Sequence, residues 1–208
     1  RLGMRGIFTT IFRVRIKGMS RLPEGPAILC ANHLGWADPF MALLFLPVEP
    51  RVYVVGEREV AQISGFRNEA LRQLQVMVSL DREKPREALE TMRGVLERGG
   101  SLLIFPEGQL GRQEGELLEL KHGAAHLSAA SGYPLVPIGL TGTSALWLGR
   151  KLEMRVGQPI LPGEVEGGIR DKVRGLTARL QVGMAALLPG DRERPRIRLL
   201  EKWLTKLL

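Results

Sequence analysis

The chain has 208 residues, 44% hydrophobic and 25% charged, enough for one domain with a full core. Its formal net charge of +8 calls for an anionic partner: a nucleic acid, an anionic lipid surface, a phosphorylated substrate or an acidic carrier. The single Cys30 excludes an intrachain disulfide and a cysteine-based metal cluster, and the 5% aromatics, without basic interleaving, argue against a single-strand nucleic-acid platform.

Residues 2–12 place Leu2, Met4, Ile7, Phe8, Ile11 and Phe12 near helical spacing, between Arg1, Arg5 and Arg13. This predicts a short amphipathic helix over 1–12, either packed on the domain or lying in a lipid interface. Phe12-Arg13-Val14-Arg15-Ile16-Lys17 alternates as a half-buried strand whose basic residues suit a sheet edge. Ala27 to Cys30 reads as a buried strand, and Phe40 to Leu46 as a helix stopped by Pro47. That helix contains the longest apolar run, well short of the roughly 18 residues of a spanning segment. Neither a spanning helix nor a secretory signal is expected in these residues.

Further strands are predicted at 51–56, 75–82, 101–105, 135–140 and 151–157. Pro137 argues for an end or a bulge in its strand. Helices are expected over 57–74 (broken at Gly65), 85–98, about 118–130, 171–188, and in the amphipathic stretch 196–208. Pro85 suits a first turn, and Gly99-Gly100 ends that helix. The last helix either packs on the domain or rests on lipid with Trp203 as anchor. Strands alternating with helices define an α/β single domain with a mixed, largely parallel β-sheet flanked by helices.

The chemistry concentrates where the buried strand ends, in Asn32-His33-Leu34-Gly35-Trp36-Ala37-Asp38. Carboxyl ends of strands are where open α/β sheets place their sites. Histidine, with an unperturbed pKa of about 6.5, suits the activation of a hydroxyl, and a carboxylate on its other nitrogen fixes the tautomer. On a continuous helix, a five-residue spacing would set the two side chains about 140° apart. His33 and Asp38 therefore pair only across a non-helical turn, which Gly35 eases. Cys30 offers a rival scheme with a thiol nucleophile, but its apolar strand favours an inert buried thiol. His122 and His126 are four apart on an expected helix without an intervening acid, so no metal site is expected.

Asn32-His33-x4-Asp38 resembles the N-H-x4-D (HX4D) motif of the glycerolipid acyltransferases, those related to 1-acylglycerol-3-phosphate acyltransferase. Phe105-Pro106-Glu107-Gly108 resembles the family's F-P-E-G block and Val136-Pro137-Ile138 its V-P-I block. Ser79-Leu80-Asp81-Arg82 and Lys121-His122-Gly123-Ala124-Ala125 fall in order with them. The resemblance implies a glycerolphosphate-acyltransferase-like fold over 13–208, with His33 as base and Asp38 as its partner. It implies that Glu107 and Gly108 meet the acceptor's glycerol backbone, and that arginine holds its phosphate. Arg82 is the first candidate. The family's E-G-T-R arginine is replaced here by Leu110, with Arg112 two positions on; of the two bases of a basic-basic-Glu-Leu element only Arg58 survives.

The activity implied is direct transfer of a fatty acyl group from acyl-CoA or acyl-carrier protein to a lysolipid hydroxyl. The acceptor is 1-acylglycerol-3-phosphate or, given Leu110, a lipid outside that series. The implied setting is the cytoplasmic face of an anionic membrane, bound peripherally or monotopically, in membrane lipid biosynthesis. No cofactor, metal or nucleic acid is implied. Two other readings stay open on the residues: a thioesterase or lipid hydrolase using the same pair, and a non-enzymatic basic module.

Overall fold

The computed structural model describes residues 2–57, 76–81, 83–189 and 200–206. In chain order these form α1 (Leu2–Ile11), β1 (Arg13–Lys17), β2 (Ile28–Ala31), α2 (Ala37–Phe45), β3 (Val52–Glu57) and β4 (Met77–Leu80). Then follow α3 (Pro85–Glu97), β5 (Ser101–Ile104), α4 (Gly123–Ser131), β6 (Leu135–Thr141), β7 (Lys151–Val156), α5 (Ile169–Ala185) and α6 (Glu201–Lys206). The broken helix expected after β3 lies outside the described residues.

The strands make one seven-stranded sheet in the order β1-β7-β6-β2-β5-β3-β4. Its pairs are parallel except β6 with β7, so β1 and β7 run against the other five. Strand β2 is central, and all four of its residues are buried. Alternation along it feeds two cores. Leu29 and Ala31 join the layer of α1, α2 and α6, whereas Ile28 and Cys30 join the layer of α3, α4 and α5. A strand covered on both faces reads as continuously apolar, as 27–31 does.

Strand β1 is an edge, as its alternating bases predict, and one of those bases, Lys17, joins two from β7 on a single acid. Glu153 on β7 meets Lys17 at 2.8 Å, Arg155 at 2.7 Å and Lys151 at 3.3 Å. Burial alone would raise its pKa, but hydrogen bonds from Lys17, Arg155 and Lys151 outweigh it and hold the value down to about 2.

Pro137 sits inside β6, between β2 and β7. Opposite it, the pairing changes register by one residue. Leu135 faces Ile160, but Ile138 faces Val156, so 157–159 carry one residue more than 136–137. The missing proline N–H falls at that bulge.

One helix starts later than expected. Residues 118–121 lie in no regular element, and α4 begins at Gly123. The amide of Leu118 goes to Glu107, that of Leu120 to Gln181 at 3.2 Å, and that of Lys121 to the Pro106 carbonyl at 2.8 Å. Amides claimed by neighbours across the fold are not available to a helical turn.

Candidate active site

The site begins where β2 runs out of backbone partners. Asn32 is buried, and its side-chain amide donates to the Leu140 carbonyl (2.9 Å) while its oxygen accepts the Leu140 amide (2.7 Å). The side chain thus completes the β2–β6 ladder, and the main chain is released to turn at His33.

The turn is closed by Asp38, in the first turn of α2. Its Oδ2 accepts the amides of Leu34 (2.6 Å) and Gly35 (2.8 Å) and lies 2.8 Å from His33 Nδ1. Residues 33–36 lie outside the helix, with Trp36 as its N-cap, as the pairing requires. Gly35 serves by size, since a Cβ there would stand 2.9 Å from the Thr143 carbonyl oxygen. Asp38 is fully buried, and its Oδ1 has no hydrogen-bond partner among the described residues. All the hydrogen bonding of its side chain falls on the oxygen that faces the imidazole.

His33 is held at four points. Its Nδ1 faces Asp38, and its backbone N–H donates to Glu107 Oε1 at 3.0 Å. Its carbonyl accepts the Gly111 amide at 2.6 Å, and its ring stacks on Phe105 with centroids 4.2 Å apart. Nε2 alone carries no hydrogen bond among the described residues, on a side chain 26% exposed. The ring is oriented, and its second nitrogen is open among the described residues.

Glu107 leaves β5 and joins three segments. Besides the His33 amide it accepts that of Leu118 at 2.9 Å, with only 3% of the residue exposed. Burial raises its pKa, and the Leu118 and His33 amides oppose that rise. Gly108 follows with φ of 65°, and the aliphatic end of Lys121 lies across it. A Cβ on Gly108 would stand 2.5 Å from Lys121 Nζ. Lys121 is exposed and forms no ion pair among the described residues.

The connection after Gly108 is braced in the same way. Glu114 accepts the amides of Gly142 (3.0 Å) and Ser144 (2.9 Å), beside Arg150 at 3.9 Å. Arg150 is itself buried, 4.1 Å from the centre of the Trp147 ring. Arg112 follows Gly111 on this connection, exposed, while Leu110 is 56% exposed. Arg58 and Arg82 lie outside the described residues.

The sequence-predicted residues His33, Asp38, Glu107 and Gly108 thus converge at the carboxyl ends of β2 and β5. Residues missed by sequence reasoning are Asn32 as a ladder extension, the Phe105 stack, Glu114 and the position of Lys121. The first two sit inside quoted motifs, where an amide and an aromatic beside the histidine were the available signal. Cys30 lies in the α3–α5 core, and burial pushes its thiol up, which disfavours a thiolate nucleophile. His122 contacts the Thr177 hydroxyl at 3.0 Å, linking α4 to α5.

A three-layer α/β fold with an oriented His–Asp pair at the exit of its central strand is an arrangement suited to general-base chemistry. Residues 13–141, more than half of the chain, match the family model described as Acyltransferase, and the chain belongs to that family. It is 33% identical over 150 residues to a 1-acyl-sn-glycerol-3-phosphate acyltransferase of Limnanthes douglasii, covering 69% of this chain and 50% of that protein. With a protein of that name from Salmonella typhimurium it shares 30% over 166 residues, covering 77% and 66%. The chain spans about half the length of the curated plant relatives it matches. The crystal structure of the 1-acyl-sn-glycerophosphate acyltransferase PlsC from Thermotoga maritima has the same fold, with a TM-score of 0.68 at 21% identity over 89% of this chain and 76% of that one.

Proposed function

We propose that this protein is an O-acyltransferase that moves a fatty acyl group from acyl-CoA or acyl-carrier protein to the free hydroxyl of a lysolipid, with 1-acylglycerol-3-phosphate as the first candidate acceptor. The observation that carries the reading is the four-point hold on His33, which leaves Nε2 as the ring nitrogen without a hydrogen bond among the described residues. An acceptor hydroxyl at Nε2 loses its proton to the ring as its oxygen attacks the thioester carbonyl. Asp38 stabilises the imidazolium that forms. The C–S bond then breaks, the leaving thiolate takes the proton from His33, and the new ester is the product.

Basic groups around the Glu107-Gly108 turn support an anionic acceptor. Lys121 lies over Gly108, and Arg112 stands on the connection that starts there. These two occupy the place in the scheme that Leu110 cannot fill, and Arg58 and Arg82 remain candidates beside them. The family names of the matched relatives point the same way.

Peripheral binding to an anionic membrane, on its cytoplasmic face, is the setting we infer. No described helix is long and apolar enough to cross a membrane. Both terminal helices bury one side and expose the other. In α1, Phe8 is buried against Phe45 while Leu2 and Ile7 are exposed. In α6, Leu204 is buried, its carbonyl accepts the Trp36 indole N–H at 3.0 Å, and Trp203 is 60% exposed. Exposed apolar side chains on helices of one layer, with a net charge of +8, suit an anionic lipid interface.

The test is thiol release from acyl-CoA and from acyl-carrier protein with lysophosphatidate, other lysolipids and no acceptor, with product analysis. Acceptor-dependent release with an acylated lipid as product supports the proposal. Free fatty acid at an acceptor-independent rate contradicts it and assigns a thioesterase.

A further inference from the structure

We infer that Glu107 is a positioning residue for His33, not a ligand of the acceptor, so that the turn meets the acceptor through Gly108 and the Lys121 ammonium. This rests on the reading of His33 as base, and it departs from the contact with the acceptor's glycerol that the family resemblance implies for Glu107.

The two carboxylate oxygens are both engaged, one by the amide of His33 at 3.0 Å and the other by that of Leu118 at 2.9 Å. Only 3% of the residue is exposed, which leaves little room for a diffusing hydroxyl to reach either oxygen. The bonds Glu107 makes are also the ones the base depends on. Glu107 grips the N–H side of His33, and Gly111, four residues on in the same connection, grips its carbonyl at 2.6 Å. The peptide frame from which the imidazole projects is therefore clamped from both sides by residues 107–111. Asp38 then sets the rotation of the ring, and Phe105 sets its plane.

Displacing a reacting group by about 1 Å can cost on the order of 100-fold in rate. A carboxylate that fixes the backbone of the base acts on the chemical step without touching substrate. A carboxylate that binds the acceptor acts first on acceptor affinity. The two roles separate in kinetics.

The experiment compares wild type with Glu107→Gln. The carboxamide keeps one acceptor oxygen but turns an NH2 donor toward the second backbone amide, so one of the two bonds is lost. The expected result is a kcat reduced roughly 30- to 100-fold with the acceptor KM within about twofold of wild type. Nitrogen-15 NMR of the His33 ring, in protein without substrate, is expected to show a broadened or shifted Nδ1–H signal. A KM raised tenfold or more at unchanged kcat would overturn the inference, as would unchanged kcat and ring signal together. If Glu107→Gln does not fold, Glu107→Asp, which keeps the charge one methylene short, is read by the same two measurements. If wild type transfers no acyl group to any acceptor, the function proposed above fails, and the ring signal alone decides on Glu107. An unchanged signal overturns its positioning role and a disordered one supports it.

Discussion

Asp38 Oδ2 lies 2.8 Å from His33 Nδ1 and at the same time accepts the backbone amides of Leu34 and Gly35. One oxygen thus folds the turn and orients the base. Asp38→Asn keeps the size, and its amide oxygen can still accept the two backbone amides, but it removes the negative charge that stabilises the imidazolium. We expect kcat to fall on the order of 1,000-fold with the acceptor KM little changed. Steady-state kinetics beside a thermal melt check this, and a kcat within a few-fold of wild type would remove Asp38 from the mechanism.

Gly35 is a matter of space. A Cβ at that position stands 2.9 Å from the Thr143 carbonyl oxygen, a backbone atom with no freedom to swing aside. Gly35→Ala is expected to destabilise the fold by about 1–3 kcal/mol and to reduce activity by moving the 33–38 turn off the 143 loop. Denaturant titration and kcat measure the two effects, and a variant as stable and active as wild type would show that the loops are not in contact.

The path from residue 27 to Asp38 was legible in the sequence because its signals agree. A continuously apolar strand, a polar residue at its exit and a proline-containing helix start all point to one geometry. The segment 117–121 was not legible, since Leu117, Leu118 and Leu120 have a spacing a helix would accept. Its non-helical path depends on Glu107 and Gln181, the latter 61 residues from Leu120, and no local pattern carries that information. Pro137 announced an end or a bulge, and the register shift opposite it is a bulge, yet the strand that takes up the extra residue cannot be named from one chain position. Lys121 stood in a quoted motif, but its place above Gly108 follows from the Lys121–Pro106 backbone bond, a tertiary contact.

Lys121 is expected to discriminate by charge. Lys121→Met should raise the KM for lysophosphatidate on the order of tenfold and leave that for an uncharged monoacylglycerol within about twofold. Lys121→Arg should restore most of the difference. Acceptor kinetics on the pair of lipids provide the check, and equal effects on both would place Lys121 outside acceptor recognition.

Glu153 gives the fold an acid limb. Its pKa is held down to about 2, below the ordinary 4.5, so its stabilisation is complete above about 4.5 and is lost as pH falls toward 2. Glu107, whose pKa is raised, works in the opposite sense: protonation favours the folded state, so its contribution falls as pH rises through its own titration. Denaturant titrations from pH 6 to pH 2.5 should show wild type losing on the order of 1–3 kcal/mol that Glu153→Gln, already less stable at pH 6, does not lose. The half-exposed lysines around Glu153 put the effect toward the lower end. Parallel curves for the two proteins would contradict the assignment.

The most direct measurement is acceptor-dependent thiol release by wild type and by His33→Ala, on protein shown to be folded by its melting curve. An open imidazole nitrogen acting as base predicts a loss on the order of 1,000-fold or more in kcat for the variant, with acyl-CoA binding retained. Equal release by the two proteins would contradict the account.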